Sequence, residues 1–198
     1  MSKMINTAIP RIIGHVLVRD ADSHEVLADR SNAIHAENLS FALASSLADR
    51  PNRNIMQMAF GNGASSVSAV GGVVYLPPNI TGQNAQLYSQ TYAKFVDDLN
   101  ALDTDPTDDF MRVNHATGTT FSDVVVTCLL DYNEPTGQQA LDDAVDTNGT
   151  FTFDEIALLT YDPSTTVGLL LSHVIFHPVM KSLNRRIEVI YTLRIVLT

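Results

Sequence analysis

Toward the end of the chain, large apolar residues recur at every second position. Ile187, Val189, Tyr191, Leu193, Ile195 and Leu197 share one parity, the period-two pattern of a strand with one face in a core. The other parity, Glu188, Ile190, Thr192, Arg194, Val196 and Thr198, is mixed, which predicts a central strand covered in part on its second side. Upstream, Val174, Ile175 and Phe176 form a β-branched and aromatic run that Pro178 is expected to close. The basic, polar link 181–186 then turns the chain back. A hairpin and a strand that crosses between two sheets both satisfy this pattern.

Read from the start, the chain predicts a first hairpin, with strands at 12–19 and 25–28 around the polar turn 20–23. Between 32 and 48 the period changes: Leu39, Leu43 and Leu47 are spaced by four, with Ala42, Ala44 and Ala48 beside them. Leu and Ala favour helix and Pro51 bars its continuation, so one main α-helix is expected near residues 36–48, packed over the end or face of a sheet. His35 is a poor cap on propensity. Residues 55–60 read as a strand ended by Gly61-Asn62-Gly63, and the Gly/Ser-rich tract to Gly72 as a flexible loop. Residues 73–76 run into Pro77-Pro78, which forces an extended exit.

Residues 86–99 fit a helical face through Leu87, Tyr88, Thr91, Tyr92, Phe95 and Leu99, yet 91–96 also fits a strand, and the strand is preferred. Residues 101–109 form an acidic, Pro-containing loop. The run 121–132 places Val124, Val126, Cys128, Leu130 and Tyr132 on one face and Val125, Thr127 and Leu129 on the other. A strand apolar on both faces belongs inside a sheet. In 151–161 the phase slips: Phe151 and Phe153 share one parity, Ile156 and Leu158 the other, with Asp154-Glu155 at the change, the pattern a β-bulge corrects. Many strands, a single helix and no βαβ alternation predict an all-β dominated fold. The expected architecture is an antiparallel β-sandwich, jelly-roll-like, forming one domain over 11–198 behind an N-terminal arm at 1–10.

Composition sharpens this picture. The 198 residues suffice for one full core. Twenty-two acidic against 12 basic residues give a formal charge of -10, with no run of Lys and Arg, so nucleic-acid binding is not expected. Only 17% of residues are charged while 45% are hydrophobic, against about 25% charged in an average domain. The surplus apolar surface goes into a well-filled core or into subunit contacts. The lone Cys128 excludes an internal disulfide. Residues 1–11 carry no signal-peptide pattern, and no run reaches the ~18 apolar residues of a membrane span, so a soluble protein made in a cytoplasm is expected.

Several groups invite chemistry. His173 and His177 would share a helical face, but on a strand four residues span roughly 13 Å, too far for one ion, and structural histidines are the simpler reading. Asp146, Asn148, Gly149 and Glu155 match positions of a calcium loop whose first ligand is replaced by Ala144, and Asn148-Gly149 reads better as a hairpin turn. The stretch 61–66 follows a strand as a phosphate loop would but lacks the lysine and helix. Asp97, Asp98, Asp103, Asp105, Asp108 and Asp109 would suit a hard cation, with a solvated acidic loop the simpler account. Lys181, Arg185 and Arg186 would pair with that loop on a neighbouring subunit or stand exposed. No nucleophile elbow of the Gly-x-Ser-x-Gly type is present. No catalytic residue, cofactor-binding residue or metal ligand is therefore assigned.

Phrases across most of the chain resemble virion structural proteins of tailed bacteriophages: Asn32 entering a Leu/Ala helix, IMQMAFGNG at 55–63, NEPTGQ at 133–138, FDEIALL at 153–159 and HVIFHPVMKSLNRRIEVIYTLRI at 173–195. The resemblance implies a non-enzymatic β-sandwich that self-assembles as a homo-oligomer in the virion after synthesis in the host cytoplasm. Its implied partners are copies of itself and other virion proteins of the capsid, portal, neck or tail, with neither nucleic acid nor membrane. The neck or collar is the preferred position, and capsid decoration or the tail and baseplate are the alternatives. The acidic loop and the N-terminal arm are the expected subunit contacts. Two rivals stay open: a carbohydrate- or receptor-binding sandwich using Tyr75, Tyr88 and Tyr92, and a jelly-roll enzyme, which needs a ligand cluster that the sequence does not display.

Overall fold

The computed structural model describes residues 9–135 and 150–198. Its strands are β1 (Pro10–Asp20), β2 (Val26–Ser31), β3 (Ala33–Ile34), β4 (Gln57–Gly61), β5 (Ser65–Val67), β6 (Val73–Tyr75), β7 (Gln90–Phe95), β8 (Phe110–His115), β9 (Phe121–Leu130), β10 (Thr150–Leu159), β11 (Leu170–Ser182) and β12 (Ile187–Leu197), with one helix, α1 (Ala36–Leu47). They form two five-stranded sheets, ordered β2-β1-β12-β9-β8 and β3-β11-β10-β4-β7, and a separate β5-β6 hairpin. Every pairing is antiparallel. The all-β, sandwich-like expectation with one main helix holds. Residues 1–8 of the expected arm and the 144–149 part of the calcium-like loop lie outside the described residues. Pro10 already belongs to β1, and the Ile9 N–H donates to the Thr198 carbonyl at 2.7 Å.

β12 is the middle strand of its sheet, flanked by β1 and β9. Its alternation is expressed as burial: Ile187, Val189, Tyr191 and Leu193 are buried, while Ile195 is half-buried and Leu197 exposed where the strand leaves the core. Opposite them lie Met58, Phe60, Phe153, Ile156, Leu158, Val174 and Phe176 of the second sheet. Phe153 meets Phe60 and Phe176 edge-on, at 5.5 and 5.7 Å between centroids, the aromatic geometry that adds to area burial. β11 and β12 belong to different sheets, so the link after β11 is a crossing and not a hairpin. β9 is an interior strand as its two apolar faces require.

The slip in β10 is a real irregularity: Phe153 pairs with Val179 and Glu155 with Ile175, so two steps on β10 face four on β11. That excess corrects the expectation for Pro178. The proline does not close β11; it falls in the bulged stretch, where its missing N–H leaves no ladder partner wanting. A second correction concerns α1, whose N-cap is His35: the ring Nδ1 accepts from the Asn38 N–H at 3.2 Å, and Nε2 donates to the Gly82 carbonyl at 2.9 Å. Burial of the ring lets it supply the acceptor that Ser or Asp gives elsewhere. Leu39 and Ala42 pack on Leu171, while Leu47 stays exposed at the helix end. The Gly/Ser tract read as loop contains β5, which pairs with β6, and β8 arises between two stretches read as loop and strand.

Candidate functional site

The bulge at Asp154-Glu155 puts two carboxylates under the 61–65 turn. Gly61 permits this approach, since a Cβ there would lie 2.5 Å from both Glu155 Oε1 and the Ser89 carbonyl oxygen. Glu155, fully buried, accepts from the N–H groups of Gly63 (3.2 Å), Ser89 (2.9 Å) and Tyr88 (3.0 Å) and from His173 Nε2 (3.0 Å). His173 Nδ1 in turn accepts from the Asn79 N–H at 2.9 Å, which places the ring proton on Nε2. Burial raises the Glu155 pKa, but the His173 hydrogen bond and the three backbone donors outweigh it and hold the carboxyl below its ordinary range. Asp154 accepts from the Ala64 N–H (3.2 Å) and the Ser65 hydroxyl (2.5 Å), and burial pushes its pKa up.

Each of these groups is spent on the chain itself. The amides that a phosphate loop would aim at a ligand face Asp154 and Glu155. The carboxylate placed at the last position of a calcium loop is saturated by four donors. His173 is a structural histidine, as expected; His177 takes a different partner, the Tyr75 hydroxyl at 3.1 Å. Among the described residues no three His, Cys, Asp or Glu side chains group as a metal site. No helix among them is long and apolar enough to cross a membrane.

What this polar cluster anchors is the β5–β6 hairpin. Ala64 and Ser65 are tied down by Asp154, and the Leu76 N–H donates to the Ala64 carbonyl at 2.8 Å. Beyond the anchor the hairpin touches β11 through the Tyr75 hydroxyl and His177 and is otherwise largely exposed: Val67 is 76% and Val70 94% exposed, and Val73, Val74, Tyr75 and Leu76 are exposed beside them. A two-stranded hairpin is marginal on its own, and exposed apolar residues on both of its faces, Val67, Val73 and Tyr75 on one and Val74 on the other, suit a contact site. Between the hairpin base and β11 lies a cleft of about 270 Å³ lined by Arg30, Tyr75, Leu76, Pro78, His173 and His177 among others. Among the described residues, the edge strands β2, β8, β3 and β7 each have one side without a paired strand.

The acidic loop departs from a solvated run. Asp109 is fully buried, and Lys94 of β7, 7% exposed, reaches Asp109 Oδ2 at 2.9 Å, Glu134 Oε2 at 2.8 Å and Asp105 Oδ2 at 3.4 Å. The chain's own ammonium occupies the place imagined for a cation. The basic link is also corrected. Lys181 is buried and donates to the carbonyls of Asp131 (2.8 Å) and Ser182 (3.0 Å), and burial pulls its pKa down to about 8. Arg185 pairs with Asp20 at 2.7 Å and Arg186 with Asp22, so both serve the first hairpin of the same chain. Of the three tyrosines offered for glycan contact, Tyr75 and Tyr88 are exposed, whereas Tyr92 turns inward against Phe60 and toward Glu134.

Neither the cap role of His35 nor the Lys94 cluster was visible as a motif: their parts are scattered along the chain and meet only through strand register. A lone lysine in the apolar stretch 92–96 was the one available signal. Compared with family models, with curated proteins and with solved structures, the chain matches none.

Proposed function

We propose that this protein is a non-enzymatic structural component of a tailed-phage virion, self-assembling through contacts between β-sandwich subunits in the neck or collar region. The observation that carries the reading is the apolar β5–β6 hairpin, which projects from the sandwich and is exposed along most of its length. A second copy of the chain is its occupant in this reading. The hairpin extends a neighbour's free sheet edge by strand addition, with its valines covered in the contact. The low charge fraction of 17% supports the same reading. So does the spending of the polar cluster on anchoring the hairpin, which leaves no position for a substrate among its hydrogen bonds. The test pairs light scattering with negative-stain images of the full chain and of a Val70→Asp, Val74→Asp variant. A closed oligomer that the double variant abolishes supports self-assembly. A wild type that stays monomeric at high concentration removes it, and saturable binding of that monomer to capsids would move the protein to decoration.

A further inference from the structure

We infer that Lys94 and Asp109 are joined by an intramolecular isopeptide bond, formed by the folded chain itself with Glu134 as proton carrier. The three groups meet where the two sheets come together: Lys94 lies on β7, at the edge of one sheet, Asp109 immediately precedes β8, at the edge of the other, and Glu134 follows β9. Lys94 Nζ is 2.9 Å from Asp109 Oδ2, and both side chains are out of water. Asp109 Oδ2 receives no well-directed hydrogen bond, and the Lys94 ammonium and the buried Cys128 thiol are the donor groups beside that carboxylate. The other oxygen, Oδ1, accepts from the Leu129 N–H at 2.8 Å. Nζ itself donates to the Leu129 carbonyl at 2.8 Å, which fixes the nitrogen beside Asp109. Glu134 Oε2 is 2.8 Å from Nζ, and that carboxylate is fixed by the Asp131 N–H at 2.9 Å.

This arrangement contains each part an amide-forming step requires. Burial works against the Lys94 charge, but the carboxylates of Glu134 and Asp109 outweigh it and keep the resting ammonium protonated. The neutral pair is therefore a minor state through which the step passes. In a desolvated pair the neutral forms gain on the charged ones, and burial pushes the Asp109 carboxyl up to about 6. A proton passes from the Lys94 ammonium to Oδ2, leaving an amine beside a carboxylic acid. The amine nitrogen attacks Cγ, and the charge that develops on Oδ1 meets the Leu129 N–H, a donor already in place. Glu134 takes one proton from the nitrogen and returns it to the Oδ2 hydroxyl. The Cγ–Oδ2 bond breaks, water leaves, and the C–N bond remains. Ammonium plus carboxylate has become amide plus water, with no oxidant or co-reactant. Asp105 and Glu134 are partly exposed, which gives the water an exit.

The product would be a covalent clasp between the two sheets in a chain whose one cysteine is free and buried. An ordinary buried ion pair is the competing account, and the mass of the folded wild-type chain separates the two without any variant. Intact mass spectrometry under denaturing conditions should give a chain one water lighter than its sequence, and peptide mapping should give a branched peptide holding Lys94 and Asp109. Glu134→Gln, checked for native circular dichroism, should retain the full mass or lose water at least tenfold more slowly. A folded wild-type chain at full sequence mass overturns the inference. So does a water loss mapped elsewhere, or a folded Glu134→Gln that crosslinks at the wild-type rate.

Discussion

The strand β12 and the hairpin β5–β6 are both rich in β-branched residues, yet Val189 is completely buried while Val70 is 94% exposed. The difference lies in what each segment has beside and beneath it. β12 hydrogen-bonds to β1 and β9 along almost its whole length and faces the phenylalanines of the second sheet. Among the described residues the strands of the hairpin pair only with each other, and it is held by Asp154 at its base and by the Tyr75–His177 hydrogen bond. Apolar content therefore supplies the driving force for burial, but a facing layer and paired edges decide whether the chain satisfies that force internally. A segment with the content and no layer is suited to a layer from another molecule.

The largest effect is expected from breaking the buried polar network beside the hairpin anchor. Glu155→Ala strips the acceptor from three backbone N–H groups and His173, and breaking such a buried network is expected to cost about 4 kcal/mol in urea unfolding. Leu193→Ala, within the core face of β12, is expected to cost about 3 kcal/mol, against about 1 kcal/mol for the half-buried Ile195→Ala. Equal effects would mean that β12 is not seated as described. The acid side sharpens the role of Glu155 further. Its folded pKa is depressed, so the folded state binds fewer protons than the unfolded one in the acid range. The stability it confers is complete at neutral pH and is lost as pH falls below about 4.3 and onward through the folded value. Thermal melts from pH 6 to pH 3 should show that loss, and Glu155→Gln should flatten it. The smallest effect on stability is expected at the hairpin: Val70→Asp and Val74→Asp should each change unfolding by no more than about 0.5 kcal/mol.

The strands that read clearly in the sequence are those whose pattern had one cause. β12 and β1 alternate because one sheet face is buried, β9 is apolar on both faces because it lies inside its sheet, and the phase slip in β10 marks its bulge. Pro178 misled because a proline normally ends pairing, and only the register with β10 reveals spare residues there. β8 is not legible in the sequence because Val113 and its neighbours are exposed, so an edge strand shows no hydrophobic alternation. The polar clusters were the least legible. Lys94, Asp109 and Glu134 are dispersed in sequence and become neighbours only when the two sheets stack, and Lys181 looked like surface charge because nothing local marks it for burial. The apolar residues of the hairpin were plain in the sequence, but their exposure results from the absence of a covering layer among the described residues.

The most direct measurement is the solution mass of the purified full-length chain by light scattering, set beside that of the Val70→Asp, Val74→Asp variant at equal concentration. The account predicts a closed oligomer for the wild type and a folded monomer for the variant. A wild type that remains monomeric at high concentration, or a variant that assembles as the wild type does, would contradict it.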